Sequence, residues 1–572
     1  MLIALAAVAG FALSTKPAAG RATVAAGQAA AVTSVTRSCP PSAPGEGTAH
    51  VAMIAVPSQA ASSSSAGTAK TAGAVPAGSA TLSSVPAAPA APAAAKSAKG
   101  KPTAGSTPST ASSTPAGKGA STTKTAPAAP VTNALPGAPT TVTAPGGADV
   151  GGTSVSATGR MAEGFEAEQA DSAGMGLVSC SHPSSDMWFV GSGEPDVWLY
   201  LLNSGTAEAS VDVTILTDTG QQNALANAIT VAPDQAIAEN VSTYVHGAQA
   251  VALHVQTSAG QIAASVWEGT KAGSGAWLPQ AAAPSTTVVI PGLTVASSSA
   301  RLFVTVPGAT DAKLKVVAYT PAGAFTQFAG TPVQASAAAT TPVTLSSLGA
   351  SAAGLELTSN VPIVAGLLVP GAGIGSFTAS AAPVTEQGVV AGNPATRGLT
   401  VGLLLTAPAA AATASVSVID SDGAVTSPAD LQDVTIAAGH TLAVAVPRPS
   451  GRDPFAIVLA PRSGSGPLYA TRVVTSGTGG LSGEVTSLLP VQSALTEITL
   501  QPVQNSYTAV LPSARQASQS QGVSRGRPGN QGRPTRGRRR GSRRTPRPRR
   551  RRPGRRARRR SPPWPAAGGG RR

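Results

Sequence analysis

The densest group of reactive side chains in this 572-residue chain lies between Val178 and Gly193, in the sequence VSCSHPSSDMWFVGSG. Cys180, His182 and Asp186 are types that serve nucleophilic catalysis or bind metals. Both chemistries need further partner residues, and the sequence contains no C-x-x-C, H-E-x-x-H or G-x-S-x-G motif that would supply them. We therefore interpret SHPSSD as a polar turn and MWFVG as the first strand of a folded domain.

The other candidates for chemistry have simpler explanations. Asp420 and Asp422 in IDSDG suggest a calcium loop, but the third oxygen ligand and the distal Glu of such a loop are missing. His246 and His254 lie in HGAQAVALH, which is not a metal-binding spacing, and the glycine-rich segments GAGIGS and GTGGLSG match no phosphate-binding motif. We expect no catalytic, cofactor-binding or metal-binding residues and no cofactor, and we classify the chain as a non-enzyme; a hydrolase is disfavoured.

The chain has two cysteines, Cys39 and Cys180. An even number of cysteines in an exported protein favours one disulfide, because the compartment is oxidising. Two unrelated buried thiols are the alternative.

Three aligned segments indicate an internal repeat. They are VTILTDTG ending at Gly220, VVAYTPAG ending at Gly323 and VSVIDSDG ending at Gly423. Each follows an apolar strand candidate and precedes a matched strand that ends at Ala264, Ala365 or Ala470. Repeats of about 100 residues with alternating apolar and polar residues predict an all-β fold of three tandem immunoglobulin-like β-sandwiches. A single larger sandwich or a propeller is the alternative. The predicted boundaries are 181–283, 284–383 and 384–511.

Four of the five tryptophans fall in or near the first repeat. They are Trp188, Trp198, Trp267 and Trp277. Exposed indoles stack on sugars, so these residues are candidates for glycan stacking. The preferred interpretation is that they fill the core of the first sandwich, because aromatics make up only 3% of the chain.

The part before Cys180 has two unusual segments. MLIALAAVAGFAL is too short for a membrane span but fits the apolar part of an export signal, so 1–20 is predicted to be a signal peptide or membrane anchor. Residues 58–151 are mostly Ala, Pro, Ser, Thr, Gly and Lys, which predicts a disordered spacer. Segments 37–57 and 152–180 on either side are predicted to form a small N-terminal subdomain that the disulfide closes.

The net charge of +16 belongs to the C-terminal tail, since 21 of the 41 basic residues and none of the 25 acidic residues lie after Arg515. We predict that 512–572 is a disordered arginine-rich tail. Its composition is that of an out-of-frame product of a GC-rich gene, which is the favoured interpretation. A genuine tail that binds anionic wall polymers or lipid headgroups is the alternative. Nucleic acid is not expected as a partner, because the arginines have no interleaved aromatic platform and Trp564 stands alone among them.

A family resemblance covers roughly residues 37–511. The C-x-x-P and WFVG segments, followed by LLNSGTAEASVDVTILTDTG and AGQIAASVWEG, resemble an actinobacterial family of exported proteins of unknown function, domain of unknown function 5719. The family has no assigned activity, and the resemblance implies export and an envelope location.

From these features we expect an extracytoplasmic protein, membrane-anchored or secreted, with a structural, scaffolding or protein-interaction role. Its partner would be an envelope protein or an anionic wall polymer, with membrane contact through the N-terminal segment. A carbohydrate-binding or wall-polymer-binding module that serves a glycan enzyme is the alternative.

Overall fold

The computed structural model describes most of the chain between residues 28 and 500. The described ranges are 28–57, 78–88, 131–133, 135–144, 150–171, 176–222, 228–270, 274–294, 300–328, 332–345, 352–371, 374–451 and 453–500. The predicted export segment at 1–20 and the arginine-rich tail at 512–572 therefore lie outside the described residues. In the described part, no helix has the length and apolar character needed to cross a membrane.

The fold is all-β, as the alternating pattern predicts. Apart from three short 3-10 turns (Gly159–Met161, Ala429–Leu431 and Gly480–Ser482), every regular element in the described residues is a strand. Four β-sandwich units follow one another along the chain, which we name the N-terminal sandwich and sandwiches 1, 2 and 3. The strands of sandwich 2 are connected into one eight-stranded sheet, and each of the other three units consists of two sheets.

Strand β1 (Gln28–Ala31) precedes the N-terminal sandwich, which consists of two four-stranded sheets. Its strands are β2 (Ser34–Cys39), β3 (Ala49–Ala55), β4 (Ala80–Pro86), β5 (Val131–Asn133), β6 (Thr140–Thr143), β7 (Val150–Thr158), β8 (Phe165–Asp171) and β9 (Val178–Ser179). One sheet has the order β2-β7-β4-β5 and the other β6-β3-β8-β9.

Three of these strands correct the prediction of one continuous spacer over 58–151. Strands β4, β5 and β6 lie within that range, and β4 pairs with β7 along its whole length. The physical reason is the apolar content of ATLSSVP, since Leu82 and Val85 are buried. These few apolar side chains suffice because β4 completes a sheet whose other strands lie outside the spacer. The long Ala/Pro segment at 89–130 lies outside the described residues.

Sandwiches 1, 2 and 3 account for the remaining strands except the last. Sandwich 1 contains β10 (Asp186–Gly191), β11 (Asp196–Asn203), β12 (Ala209–Thr217), β13 (Gly220–Gln222), β14 (Ile229–Val231), β15 (Gln235–Asn240), β16 (Val251–Ala259), β17 (Ala263–Gly269), β18 (Gly275–Leu278) and β19 (Gln280–Ala281). Sandwich 2 contains β20 (Ser285–Thr294), β21 (Arg301–Val306), β22 (Ala312–Thr320), β23 (Gly323–Gln327), β24 (Val333–Ala335), β25 (Ala339–Thr344), β26 (Ala352–Val369) and β27 (Ser376–Ala379). Sandwich 3 contains β28 (Gly388–Asn393), β29 (Leu399–Ala407), β30 (Ala412–Ile419), β31 (Val425–Thr426), β32 (Val434–Ile436), β33 (His440–Ala445), β34 (Phe455–Pro461), β35 (Tyr469–Ser476) and β36 (Glu484–Pro490). Strand β37 (Glu497–Leu500) then pairs antiparallel with β1.

The repeat seen in the sequence is also a repeat of strand pairing. In each of sandwiches 1–3, the apolar strand that opens the repeat pairs on one side with the matched strand of the alignment. The paired residues are Leu201 with Ala264, Val304 with Ala365, and Leu405 with Ala470. The alignment therefore predicts the strand register at the centre of three separate sheets.

The aligned glycines close hairpin turns. Gly220, Gly323 and Gly423 all have positive φ angles, of 108°, 116° and 84°, which glycine adopts at little cost. In the third turn, Asp420 Oδ1 accepts hydrogen bonds from the backbone N–H of Asp422 (3.1 Å) and Ala424 (2.8 Å). The carboxylate therefore stabilises the turn.

Contacts between the sandwiches form a closed cycle within one compact unit. The N-terminal sandwich contacts sandwich 1 through a cluster that includes Val85, Leu202 and Trp267. The core of sandwich 1 continues into sandwich 2, and that of sandwich 2 into sandwich 3. A further cluster, with Ile54 and Ala391 among its members, joins sandwich 3 back to the N-terminal sandwich. Each sandwich is thus held by two neighbours.

Candidate functional site

The two cysteines are bonded to each other, as predicted. Cys39 ends β2 in one sheet of the N-terminal sandwich, and Cys180 follows β9 in the other sheet, so the bond joins the two layers. Both residues are buried in the core. Beside the bond, Ser38 and Ser181 exchange two backbone hydrogen bonds of 2.8 and 2.9 Å. The disulfide is therefore an internal structural link.

His182 and Asp186, the other reactive residues of this stretch, point to different neighbours. His182 lines a small cavity of about 20 Å³ next to Cys180, and burial together with the charge of Arg37 lowers its pKa. Asp186 Oδ1 instead lies 3.1 Å from Nε2 of His254 on the neighbouring strand β16. Sequence spacing could not reveal this pair, because it depends on the pairing of β10 with β16.

The His254 ring stacks on the indole of Trp188, with ring centroids 3.8 Å apart and an interplanar angle of 13°. Trp188 is buried, and its Nε1 has no acceptor among the described residues. Burial lowers the pKa of His254, and the charge and hydrogen bond of Asp186 partly oppose that shift. The imidazole thus packs on a core aromatic ring and is oriented by a carboxylate.

The four tryptophans named as candidates for glycan stacking do not form an exposed platform. Trp188, Trp267 and Trp277 are only 3%, 2% and 7% exposed. Trp198 is partly exposed, and its Nε1 donates to Asp196 Oδ1 at 2.9 Å. An indole face must be accessible to stack on a sugar ring. Burial of three of the four indoles therefore leaves little aromatic surface for glycan stacking.

Glu268 is a fully buried carboxyl group that sequence reasoning missed. Its oxygens accept the backbone N–H groups of Ser192 at 2.9 Å and Glu194 at 2.8 Å. These bonds hold the loop between β10 and β11. Desolvation raises its pKa to about 7, although the hydrogen bonds act in the opposite direction. In the sequence, the segment GSG before Glu194 indicates a loop at this position. Only the fold shows that the carboxylate of Glu268 accepts the backbone N–H groups of this loop.

Glu168 and Arg472 are a second set of buried ionisable residues. They lie where the N-terminal sandwich meets sandwich 3. Glu168 Oε2 accepts the backbone N–H of Gly392 at 3.1 Å. Burial raises the pKa of Glu168 to about 7, against the opposing charge of Arg472. Arg472 is also fully buried and donates to Ser487 Oγ at 3.3 Å, while its Nε and Nη1 have no acceptor among the described residues.

The most developed candidate site is a cavity of about 190 Å³ to which all four sandwiches contribute. We call it the junction cavity. Its lining consists of Ala43, Glu46, Ala49, Gln169, Ala170, Asp171, Gly176, Trp267, Gly275, Ala276, Trp277, Gly375 and Thr486. Two carboxylates, an amide and two indoles thus meet at one place. Sequence reasoning named the two tryptophans but not the acidic residues, which come from a distant part of the chain.

The junction cavity combines a polar side and an aromatic side. Glu46 lies in an exposed turn whose backbone N–H bonds the carbonyl of Ala43 at 2.9 Å. Partial burial and the charge of Asp171 raise the pKa of Glu46. Trp277 packs at a tilt against Tyr200, with ring centroids 5.6 Å apart. Such a lining suits binding of a small polar group, and the described residues contain no group of three side chains suited to hold a metal ion.

Comparison with known proteins identifies the chain at the level of a family. The family described as "Family of unknown function (DUF5719)" matches residues 146–447, which is more than half of the chain. No curated protein and no solved structure matches it. The matched region begins at the last long strands of the N-terminal sandwich, includes all of sandwiches 1 and 2, and extends into sandwich 3. The chain therefore belongs to the DUF5719 family.

Proposed function

We propose that this protein is a non-enzymatic, exported component of the cell envelope that acts as a scaffold for other envelope components. The observation that carries the proposal is the closed cycle of four β-sandwiches, in which one disulfide joins the two layers of the first. Buried interfaces of this kind favour a rigid body that presents a fixed surface.

Export is supported by two features. A buried disulfide persists in oxidising compartments and is rare in the cytosol, and Cys39 and Cys180 form such a bond. The apolar N-terminal segment of the sequence supplies the second, independent indication. Either a cleaved signal or a retained anchor is consistent with the role of an envelope scaffold.

The absence of an enzymatic role is proposed because the polar clusters serve structural purposes. Glu268 binds backbone amides, Glu168 joins two sandwiches, and His254 packs on Trp188. Each of these groups is engaged by the fold, so it is not placed to act on a substrate. The alternative role, a module that binds glycans for an enzyme, has less support because three of its four tryptophans are buried.

Location is tested by cell fractionation combined with thiol trapping. Cells that express the full chain with an epitope tag after sandwich 3 are quenched in acid and treated with a thiol-reactive polyethylene glycol under denaturing conditions. We expect the tagged protein in the envelope fraction with both cysteines protected, and a Cys39→Ser variant that gains one label on Cys180. A cytosolic protein with two reactive thiols would contradict the proposal.

The scaffold role is tested by recovering the tagged protein from detergent-solubilised envelopes after cross-linking. We expect a defined envelope protein at near-stoichiometric yield, both with and without residues 516–572. Retention on purified wall polymers that is lost without 516–572 would instead assign binding to the arginine-rich tail. Retention on neutral glycans by the sandwiches alone would favour the glycan-binding alternative.

A further inference from the structure

Sandwich 3 has a second, more open cavity of about 570 Å³ that is lined by two arginines, Arg397 and Arg448. We call it the arginine cavity. Arg397 lies in the loop between β28 and β29, and Arg448 follows the end of β33. Both residues are exposed. Two guanidinium groups from different loops thus line one cavity at the surface of the protein.

The arginine cavity has no counter-charge among the described residues. None of its lining residues is Asp or Glu. Of the ion pairs that the described residues form, none includes Arg397 or Arg448. A cleft lined by charges of one sign attracts ions of the opposite sign, so this cavity attracts an anion.

Arg448 is oriented by a hydrogen bond to the opposite side of the cavity. Its Nη1 donates to the backbone carbonyl of Ala395 at 3.1 Å, and Ala395 belongs to the same loop as Arg397. The guanidinium group has five N–H donors in a fixed fork, and this bond uses one of them. A guanidinium held in this way is preorganised to bind two oxygens of one phosphate or carboxylate group.

The other repeats show that the fold does not require arginines at these places. In each of sandwiches 1–3 an equivalent backbone hydrogen bond of 3.0 Å follows the same strand; these bonds run from Val241 to Val197, from Leu345 to Ala300 and from Val446 to Val401. Two residues after the donor, the sequence has Thr243, Ser347 and Arg448. The loop before the opening strand contains Arg397 in sandwich 3 but no basic residue in sandwich 1 (192–195) or sandwich 2 (295–300). The two arginines are therefore an addition to the shared fold, as expected for a binding site.

The rest of the lining restricts the kind of anion that fits. Val401, Val446 and Phe455 contribute an apolar wall, and all three are buried in the core of sandwich 3. The volume of about 570 Å³ lies within the range of roughly 300–1,000 Å³ that is usual for small-molecule sites. The cavity therefore has room for an anionic group together with an attached organic group that packs on the apolar wall.

We propose that the arginine cavity binds a phosphate monoester whose organic group is apolar. A phosphate monoester carries about −1.5 to −2 elementary charges near pH 7 and has three strong acceptor oxygens, which match the two guanidinium groups. Its organic group packs against Val401, Val446 and Phe455. A carboxylate has one charge and two oxygens, so it satisfies only part of this site.

Such a ligand has two sources, a soluble phosphate monoester or the headgroup of a lipid such as phosphatidic acid. Both present the same chemical group to the cavity. The site is a property of the purified protein and does not depend on the location or the scaffold role proposed above, so either proposal can fail without the other.

The test needs a signal that is local to the cavity, because the arginine-rich tail also attracts phosphate. The eight phenylalanines of the full chain are replaced by 4-fluorophenylalanine, and fluorine NMR follows them while n-butyl phosphate is added at constant ionic strength. We expect a saturable shift of the Phe455 signal, which is assigned by its loss in Phe455→Leu. The signal of Phe165 should not change, because Phe165 lies in the core of the N-terminal sandwich. n-Butanol should cause no saturable shift, and n-pentanoate should bind more weakly than n-butyl phosphate.

Variants assign the effect to the arginines. Arg397→Gln removes one charge from an exposed loop, so the protein should fold normally, and we expect n-butyl phosphate to bind about tenfold more weakly. Arg397→Lys keeps the charge but not the planar fork and should retain part of the affinity. Arg160→Gln is the matched control, because Arg160 is also exposed but belongs to the N-terminal sandwich and does not line the cavity. Its affinity should equal that of the wild type.

Phosphatidylcholine vesicles with and without phosphatidic acid distinguish the two sources. Binding to phosphatidic acid that is reduced in the Arg397→Gln, Arg448→Gln double variant identifies a lipid headgroup, whereas equal vesicle binding by both proteins identifies a soluble ligand. The proposal is overturned if folded wild-type protein shows no saturable shift of the Phe455 signal with n-butyl phosphate, or an equal response to n-butanol. Equal affinity for n-pentanoate, or unchanged affinity in Arg397→Gln, would overturn it as well.

Discussion

Two interior glutamates, Glu168 and Glu268, accept hydrogen bonds from the backbone of neighbouring segments. Their carboxyl groups lose contact with water, which makes the ionised form less favourable. Each accepts backbone N–H groups, and each has a pKa raised to about 7 by burial. A buried carboxylate is costly, but a well-placed acceptor also prevents loop amides from remaining unpaired. These residues therefore fix local structure and at the same time make the stability of the protein depend on pH.

We expect the free energy of unfolding to fall as pH rises from about 4.5 to about 7 because of Glu268. Its pKa is about 7 in the folded protein and near its ordinary value of 4.5 when unfolded, so in this range the folded state holds a proton that the unfolded state has lost. The loss is complete above pH 7 and is up to about 3 kcal/mol. Urea denaturation at pH 5 and pH 8 measures it.

Glu268→Gln provides the comparison that isolates this group. The variant removes the titrating carboxyl group, so its free energy of unfolding should decrease less between pH 5 and pH 8 than that of the wild type. This comparison holds even if the variant is more or less stable than the wild type at any single pH. The comparison is needed because His182 and His254 have lowered pKa values and act in the opposite direction below about pH 6.5. Glu208→Gln, on an exposed loop, should leave the slope unchanged. An unaltered slope in Glu268→Gln would contradict the assignment.

At the level of strands, the packing of Trp267 on β17 depends on two glycines. A Cβ atom at Gly269 or Gly275 would overlap the indole of Trp267. The tryptophan therefore lies flat across its own strand and the neighbouring strand β18. This arrangement places one of the largest side chains of the chain between sandwich 1 and the N-terminal sandwich, where it also lines the junction cavity.

We expect Gly275→Ala to destabilise the protein by about 1–3 kcal/mol or more, because the new methyl group must displace a fully packed indole. The midpoint of chemical denaturation measures the change. Gly308→Ala is the matched control, since a Cβ atom there meets no atom within 4 Å and the backbone has no positive φ. Equal effects of the two substitutions would show that Trp267 is not held as the structure indicates.

The sequence predicts the strands of sandwiches 1–3 well because their apolar and polar residues alternate and because the pattern recurs. The closing glycines and the alanines at 264, 365 and 470 locate equivalent strands in all three units. The N-terminal sandwich was predicted only in part. Its strand β4 buries only two large apolar side chains, Leu82 and Val85, within a sequence of small residues, and this signal is too weak to predict a strand without the sheet that it completes.

The candidate site was less predictable than the fold for a different reason. Glu46, Asp171 and Trp277 come together only through contacts between sandwiches that are far apart in the sequence. The same holds for Glu168 and Arg472, which are separated by most of the described chain. No motif spacing encodes such a meeting, whereas the disulfide could be predicted because only two cysteines are present.

At the scale of the whole molecule, the closed cycle of contacts means that no sandwich has a free end. A terminal unit in a linear array contacts one neighbour, but here each sandwich is held by two. Pairing of β1 with β37 adds a further link between the two ends of the described chain. We therefore infer that loss of one sandwich weakens its neighbours on both sides.

The disulfide acts on this assembly through the N-terminal sandwich. Cys39 and Cys180 are 141 residues apart in sequence, so the bond closes a long loop that would otherwise be free in the unfolded chain. We expect the Cys39→Ala, Cys180→Ala double variant to lose up to about 5 kcal/mol of stability on the chain-entropy estimate. The denaturation midpoints of oxidised wild type and double variant measure the loss.

Because both cysteines are buried, a mild reductant followed by an alkylating agent should add two alkyl groups to the wild type only after denaturant is present. Rapid alkylation of the native protein, or a double variant as stable as the wild type, would show that the bond does not support the assembly.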